Sequence, residues 1–164
     1  MHSTMMNTPL GVKTLHRFGA RHFSSSRVGD YDGQQIHWRS YAEIDESSAR
    51  LANALTRLGI VPGDRVGTFM WNSTQHLETY LAVPSLGAVL HTLNCRLSAE
   101  HVAYIINHAS DRFLILDARL IDSFLPVLPL IPDVEHVLVS GGGDDAVAAL
   151  NDPRAVSYLS LIHI

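Results

Sequence analysis

The chain has 164 residues, of which 46% are hydrophobic and 17% are charged, and its formal net charge is −4. This composition excludes a disordered or low-complexity chain, which would combine low hydrophobicity with a high net charge, and it argues against a nucleic-acid binder. The single cysteine, Cys95, excludes an internal disulfide and favours a reducing compartment such as the cytoplasm.

The first 29 residues contain no acidic residue and carry four cationic ones. This pattern is similar to a mitochondrial transit peptide, but we favour an N-terminal extension, residues 1–26, that docks on the body of the protein. The apolar side chains expected to make that contact are Leu10, Leu15, Phe18 and Phe23. The most apolar stretch, residues 81–93, is too short to span a bilayer, so we expect no transmembrane segment, although a peripheral membrane location stays open.

A β-hairpin followed by a capped helix is predicted next. Asp32-Gly33 is a two-residue turn signal within residues 27–39, and Ser40 with Glu43 forms a capping box. Apolar residues at helical spacing then continue to Gly59, which suits a left-handed helix end. A turn at residues 61–64 leads into a strand at residues 65–71.

Helices and strands alternate in the remainder of the chain. Asn72 or Ser73 caps a helix that carries Leu77, Tyr80 and Leu81 on one face, and Ser98 caps another. Further strands are predicted at residues 88–93, 112–116 and 134–139, with a helix at residues 119–128. This alternation predicts an α/β fold with a mostly parallel sheet and helices on both faces, preceded by the hairpin.

The domain organisation follows from these elements. Residues 27–155 are interpreted as one partial α/β unit, and residues 156–164 as a truncated or non-native end, because an apolar stretch stops there without a cap. The glycine run at residues 141–143 is followed by Asp144 and Asp145, which would repel a phosphate, so we interpret it as a flexible surface turn.

Standard catalytic motifs are absent: the sequence has no phosphate loop with lysine, no dinucleotide fingerprint, no nucleophile elbow and no HExxH. Four residues are candidate zinc ligands, but their spacing fits no standard zinc-binding module. They are His91, Cys95, His101 and His108. The sequence identifies no partner that would let His76 act in acid–base catalysis or Cys95 act as a nucleophile.

Residues 41–117 resemble a known family. The quoted stretches are Pro62-Gly63-Asp64-Arg65-Val66, Trp71-Asn72-Ser73, Gly87-Ala88-Val89-Leu90-His91-Thr92-Leu93-Asn94, and Tyr104-Ile105-Ile106-Asn107-His108-Ala109. The first is similar to the whole AMP-forming adenylating superfamily, and the rest resemble its medium- and long-chain fatty-acyl-CoA ligase branch. Cys95 departs from that branch, which usually has proline there.

The resemblance implies a fatty acid–CoA ligase that uses ATP, Mg²⁺ and coenzyme A, with this chain as most of the first α/β subdomain of its large domain. It places the phosphate-binding loop, the adenine segment, the magnesium glutamate and the catalytic lysine beyond residue 164. No catalytic, cofactor-binding or metal-binding residue is therefore assigned here, the chain alone is expected to be inactive, and a homodimer is expected only of the longer protein.

Two functional alternatives remain at this point. A free-standing flavodoxin-like module would bind a small ligand at the carboxyl ends of its strands, near Trp71, Asn94 and Asp117. An inert remnant would only associate with other chains. For Trp71, His76, Glu78 and His91, contact with an acyl or nucleotide ligand competes with a purely structural role, which we favour.

Overall fold

The computed structural model describes residues 11–163, which form a five-stranded sheet between two layers of helices, with a separate hairpin. The helices are α1 (Val12–His22), α2 (Tyr41–Arg57), α3 (Thr74–Ser85), α4 (Ala99–Ala109), α5 (Ile121–Phe124), α6 (Gly143–Leu150) and α7 (Tyr158–Ile162). The strands are β1 (Arg27–Tyr31), β2 (Ile36–Ser40), β3 (Arg65–Phe69), β4 (Val89–Thr92), β5 (Phe113–Asp117), β6 (His136–Ser140) and β7 (Ala155–Ser157).

The main sheet has the order β4-β3-β5-β6-β7, and every neighbouring pair is parallel. After β3 the chain forms β4 on one side of β3 and then β5 on its other side, and β6 and β7 follow outward from β5. The direction of winding therefore reverses between β3 and β5. Such a reversal opens a crevice at the carboxyl ends of the two strands. The hairpin β1-β2 is antiparallel and forms a sheet of its own.

Two apolar cores cover the two faces of this sheet. On one face, α2, α3 and α7 contribute Leu51, Val83 and Tyr158 to a cluster that includes Phe113 and Ile115 of β5. On the other face, α4, α5 and α6 pack on the alternate residues of the same strands. Strands covered on both faces must be apolar throughout, which explains why all five residues of β5 are buried.

Local signals placed several helix ends correctly. Ser40 and Glu43 form the predicted capping box at the start of α2, Ser73 and Ser98 cap α3 and α4, and Gly59 follows α2 with a φ of +85°. The predicted α/β fold with helices on both faces of a parallel sheet is confirmed.

The apolar face predicted for α3 is not the face that the structure buries. Tyr80 is exposed, and Leu77 and Leu81 are only half-buried. The buried positions are instead mostly polar: Thr74, His76, Glu78, Thr79, Ala82 and Val83. Polar groups can be buried on this face because partners from other elements meet them there, and sequence spacing does not reveal those partners.

The N-terminal segment lies against the body of the protein, but the apolar residues expected to make that contact are exposed. Helix α1 contacts α2 and α3, but none of its residues is buried. Leu15, Phe18 and Phe23 are all more than half exposed, whereas His16, Gly19 and Ala20 are the half-covered positions. Leu10 lies outside the described residues.

The chain after β5 departs from prediction at two points. The helix expected at residues 119–128 is interrupted and consists of short 3-10 segments around α5. The glycine run is not only a surface turn, because Gly143 begins α6, which leads into the unpredicted strand β7. Among residues 11–163, no helix is long and apolar enough to cross a membrane.

Candidate functional site at the carboxyl edge of the sheet

A cleft of about 290 Å³ lies at the winding reversal, and we call it the switch cleft. It is lined by the residues that follow β3, β5 and β6 together with the hairpin: Asp30, Asp32, His37, Ser73, Gln75, Asp117, Ala118, Arg119, Ser140, Gly141 and Gly142. In parallel sheets this edge is where ligands generally bind, so the switch cleft is the leading candidate site.

The hairpin wall of the cleft is held by Asp30. Its carboxylate accepts hydrogen bonds from the backbone N–H and the hydroxyl of Thr74, at 2.9 and 2.8 Å. Thr74 is the first residue of α3, where backbone N–H groups are unpaired and a negative charge is favourable. This contact joins segments 44 residues apart and explains why the hairpin closes over the sheet edge.

Asp32 lies at the hairpin turn, and its carboxylate already accepts hydrogen bonds from neighbouring groups. The backbone N–H groups of Gln35 and Gln34 and the ring of His37 all point at its carboxylate, with His37 Nε2 2.6 Å from Oδ2. The hydrogen bond from Gln35, followed by that from His37, lowers the pKa of Asp32 well below its usual range. Asp32 therefore stays ionised at neutral pH and shapes the turn.

The floor of the cleft carries one arginine, and a carboxylate already holds it. Arg119 donates to both oxygens of the buried Asp117, with Nη2 2.6 Å from Oδ2, and this pairing raises the pKa of Arg119. Among the described residues, the lining holds three aspartates and no lysine, so the switch cleft does not fit the phosphates of a nucleotide. Its oxygens are suited instead to accepting hydrogen bonds.

A second cleft of about 270 Å³ adjoins the ends of β3 and β4, lined by Met70, Trp71, Asn72, Leu93, Asn94, Cys95 and Arg96. The Cys95 thiol donates weakly to the carbonyls of Met70 and Leu93, and burial raises its pKa. A thiol with a raised pKa is a poor nucleophile. Trp71 and Asn94 thus lie in this cleft and Asp117 in the switch cleft, all at the carboxyl edge as predicted.

His76 holds the loop after β3, and residues of that loop line both clefts. Its Nδ1 lies 3.2 Å from the carbonyl oxygen of Trp71 and its Nε2 lies 3.0 Å from the hydroxyl of Thr68. A carbonyl only accepts, so Nδ1 carries the proton and Nε2 accepts from Thr68. Burial lowers the pKa of His76, which therefore remains neutral and positions the loop.

The four residues considered for zinc each have a partner of their own. His91 Nδ1 donates to the buried carboxylate of Asp111, His101 contacts Ser98, and the ring of His108 stacks on Tyr104. Within residues 11–163, no three His, Cys, Asp or Glu side chains are grouped to hold a metal ion. The Asp111 carboxylate also explains Gly67, since a Cβ there would lie 2.8 Å from Oδ2.

Glu78 lies in a buried network that the sequence did not reveal. Its carboxylate pairs with Arg39 of β2 and accepts a 2.7 Å hydrogen bond from the hydroxyl of Tyr158, while Arg39 also donates to Ser47. Burial, followed by the charge of Glu78, raises the pKa of Tyr158 well above its ordinary value. For Glu78 and His76, these contacts agree with the structural role favoured from the sequence.

Comparisons with known proteins agree with this fold. A family model described as "AMP-binding enzyme" matches residues 19–159, so the chain belongs to that family and the predicted resemblance is confirmed. In solved structures, the chain is similar to coronafacic acid ligase of Pectobacterium brasiliense, with TM-score 0.82 and 22% identity over 94% of this chain and 30% of that one. The A domain of carboxylic acid reductase from Segniliparus rugosus gives TM-score 0.81 at 15% identity, over 98% of this chain and 30% of that one.

Curated relatives are acyl-CoA ligases. The long-chain-fatty-acid–CoA ligase of Thermus thermophilus is 39% identical over 84% of this chain and 26% of its own length. The medium-chain-fatty-acid–CoA ligase of Ectopseudomonas oleovorans is 35% identical over 96% of this chain and 29% of its own. The 3-methylmercaptopropionyl-CoA ligase of Ruegeria lacuscaerulensis is 39% identical over 84% and 26%. The chain thus spans little more than a quarter of these relatives.

Proposed function

We propose that this chain is the first α/β subdomain of an AMP-forming fatty acid–CoA ligase that acts on medium- or long-chain fatty acids. The observation that carries the proposal is the match to two fatty acid–CoA ligases over 84% and 96% of the chain. The parallel five-stranded order and the hairpin that closes its carboxyl edge support the same assignment.

The proposed reaction has two steps. The fatty acid carboxylate attacks the α-phosphorus of ATP, the bond to the bridging oxygen breaks, and pyrophosphate leaves. The sulfur of coenzyme A then attacks the acyl carbon, and AMP leaves to give the thioester. Mg²⁺ in such a reaction offsets the charge of the phosphates.

The described residues support a scaffolding role for this chain in that reaction. The switch cleft has carboxylates where a triphosphate needs cations, and its arginine is held by Asp117. We therefore propose that ATP, Mg²⁺ and coenzyme A are bound outside the described residues. The contribution of this chain is then the rigid edge formed by Asp30, His76 and Asp117, against which other segments of the enzyme pack.

The test uses the longer protein that carries this chain. It is incubated with ATP, Mg²⁺ and coenzyme A together with octanoate, palmitate, 3-methylmercaptopropionate or benzoate, and acyl-CoA, AMP and pyrophosphate are quantified. We expect the highest kcat/KM with one of the two fatty acids and equimolar AMP. A preference for 3-methylmercaptopropionate would overturn the fatty acid assignment, and release of ADP and phosphate would overturn the AMP-forming reaction.

A further inference from the structure

Two grooves adjoin beneath α1. One, of about 310 Å³, lies between α1, α2 and α3 and is lined mainly by polar and small residues. The other, of about 230 Å³, lies between α1, the hairpin and the same two helices and is lined mainly by apolar residues. His16 and Leu81 line both, so the two form one elongated groove with a polar end and an apolar end.

The polar end presents two cations that have no partner among the described residues. Lys13 and Arg17 are one helical turn apart on α1 and both line the groove, so they lie on the same face of the helix. Within residues 11–163, neither forms a hydrogen bond or an ion pair. Two positive side chains at one end of a groove attract an anion.

A buried hydroxyl in the same groove also lacks a partner. Ser48 of α2 is 3% exposed, and its Oγ accepts and donates no hydrogen bond among the described atoms. Leaving such a group unpaired destabilises the fold, so a ligand that bonds to it recovers part of that loss. Asn53, on the same helix, adds an amide to the lining.

One carboxylate, Asp45, also lines the polar end, and the ring of His16 lies against it. His16 Nε2 lies 2.7 Å from Asp45 Oδ1, and the His16 side chain is only 14% exposed. Of the two, only His16 lines both grooves and so lies where they meet. Lys13 and Arg17 against this one carboxylate leave the polar end with a net positive charge.

The apolar end accommodates a hydrocarbon chain. Leu15, Val28, Ile44 and Leu77 line it, together with the ring of Tyr41. Each CH₂ group removed from water here favours binding. A ligand that uses both ends therefore carries one anionic head group on an alkyl chain.

We propose that the groove beneath α1 binds an alkyl carboxylate, with its head group at Lys13 and Arg17 and its chain against Leu15 and Leu77. This binding site is separate from the proposed ligase chemistry. It depends only on α1, α2, α3 and the hairpin, so it can be tested by binding to the 164-residue chain whatever reaction the longer protein catalyses.

Isothermal titration calorimetry with decanoate below its micellar concentration tests the head-group contact. We expect Lys13→Gln combined with Arg17→Gln to weaken binding at least about tenfold, the equivalent of losing about 1.4 kcal/mol. Arg21→Gln removes a cation of the same helix that does not line the groove and should leave the affinity unchanged. No residue of α1 is buried, so these substitutions spare the core.

A filling variant tests the chain contact. At Gly19, which lines the apolar end, an added Cβ would meet only the ring of Tyr41, at 3.8 Å. Gly19→Leu should stabilise α1 and abolish decanoate binding, which separates occupancy of the groove from unfolding. Equal affinity for decanol and decanoate, binding that survives Gly19→Leu, or no heat of binding with the unsubstituted chain would each overturn the proposal.

Discussion

Tyr158→Phe removes one hydrogen bond from the centre of the molecule without changing the packing. The Tyr158 side chain is fully buried, and its hydroxyl donates to Oε2 of Glu78 at 2.7 Å. A hydrogen bond to a charged group contributes about 1.5–3 kcal/mol, and phenylalanine leaves no cavity beyond the lost oxygen. For a chain of this length, we expect the melting temperature to fall by about 3–12 °C.

Urea unfolding followed by circular dichroism measures this loss. The slope of the free energy of unfolding against urea should stay unchanged while the midpoint falls. The matched control is Tyr104→Phe, because Tyr104 is 66% exposed and its loss should change stability by less than about 0.5 kcal/mol. A loss below that value for Tyr158→Phe would show that Glu78 is not held by Tyr158.

The same substitution has a signature at high pH. The pKa of Tyr158 is raised in the folded protein, so its contribution to stability is complete below the unfolded value of about 10 and is lost as the pH rises above it. Between about pH 10 and 11, the unsubstituted chain should therefore lose stability more steeply than Tyr158→Phe. Parallel curves would refute the burial of a neutral tyrosine next to Glu78.

Three further predictions follow from other sites. Burial lowers the pKa of His76, so its contribution to stability is present above the unfolded value of about 6.5 and is lost as the pH falls below it. His76→Gln should therefore reduce the loss of stability at acid pH, whereas His101→Gln, at an exposed position, should not. At Gly142, whose φ is +67°, a Cβ would lie 2.6 Å from the Cβ of Ala146, whereas a Cβ at Gly143, whose φ is +60°, would lie in open space. Gly142→Ala should therefore destabilise the fold at least about 1 kcal/mol more than Gly143→Ala, and equal losses by urea titration would refute this. The 164-residue chain alone should show no exchange of labelled pyrophosphate into ATP, because the arginine of the switch cleft is held by Asp117, and exchange above a no-protein control would contradict this.

The sequence alone determined the elements whose signals are local. Capping by Ser40, Ser73 and Ser98, the helix end at Gly59 and the apolar run of β5 each depend on residues a few positions apart, so their spacing predicts them. Alternation of strands and helices was then enough to predict a parallel sheet covered on both faces, and the quoted motifs identified the family.

The tertiary structure decided everything that depends on distant residues meeting. The sequence did not identify Tyr158, 80 residues away, as the partner of Glu78, nor Thr74, 44 residues away, as the partner of Asp30. Contacts between distant segments also place the hairpin against the switch cleft and place Lys13 and Arg17 of α1 in the lining of a groove. Residue spacing encodes the period of one helix or strand, whereas the partner of a buried polar group is fixed by how the elements pack together.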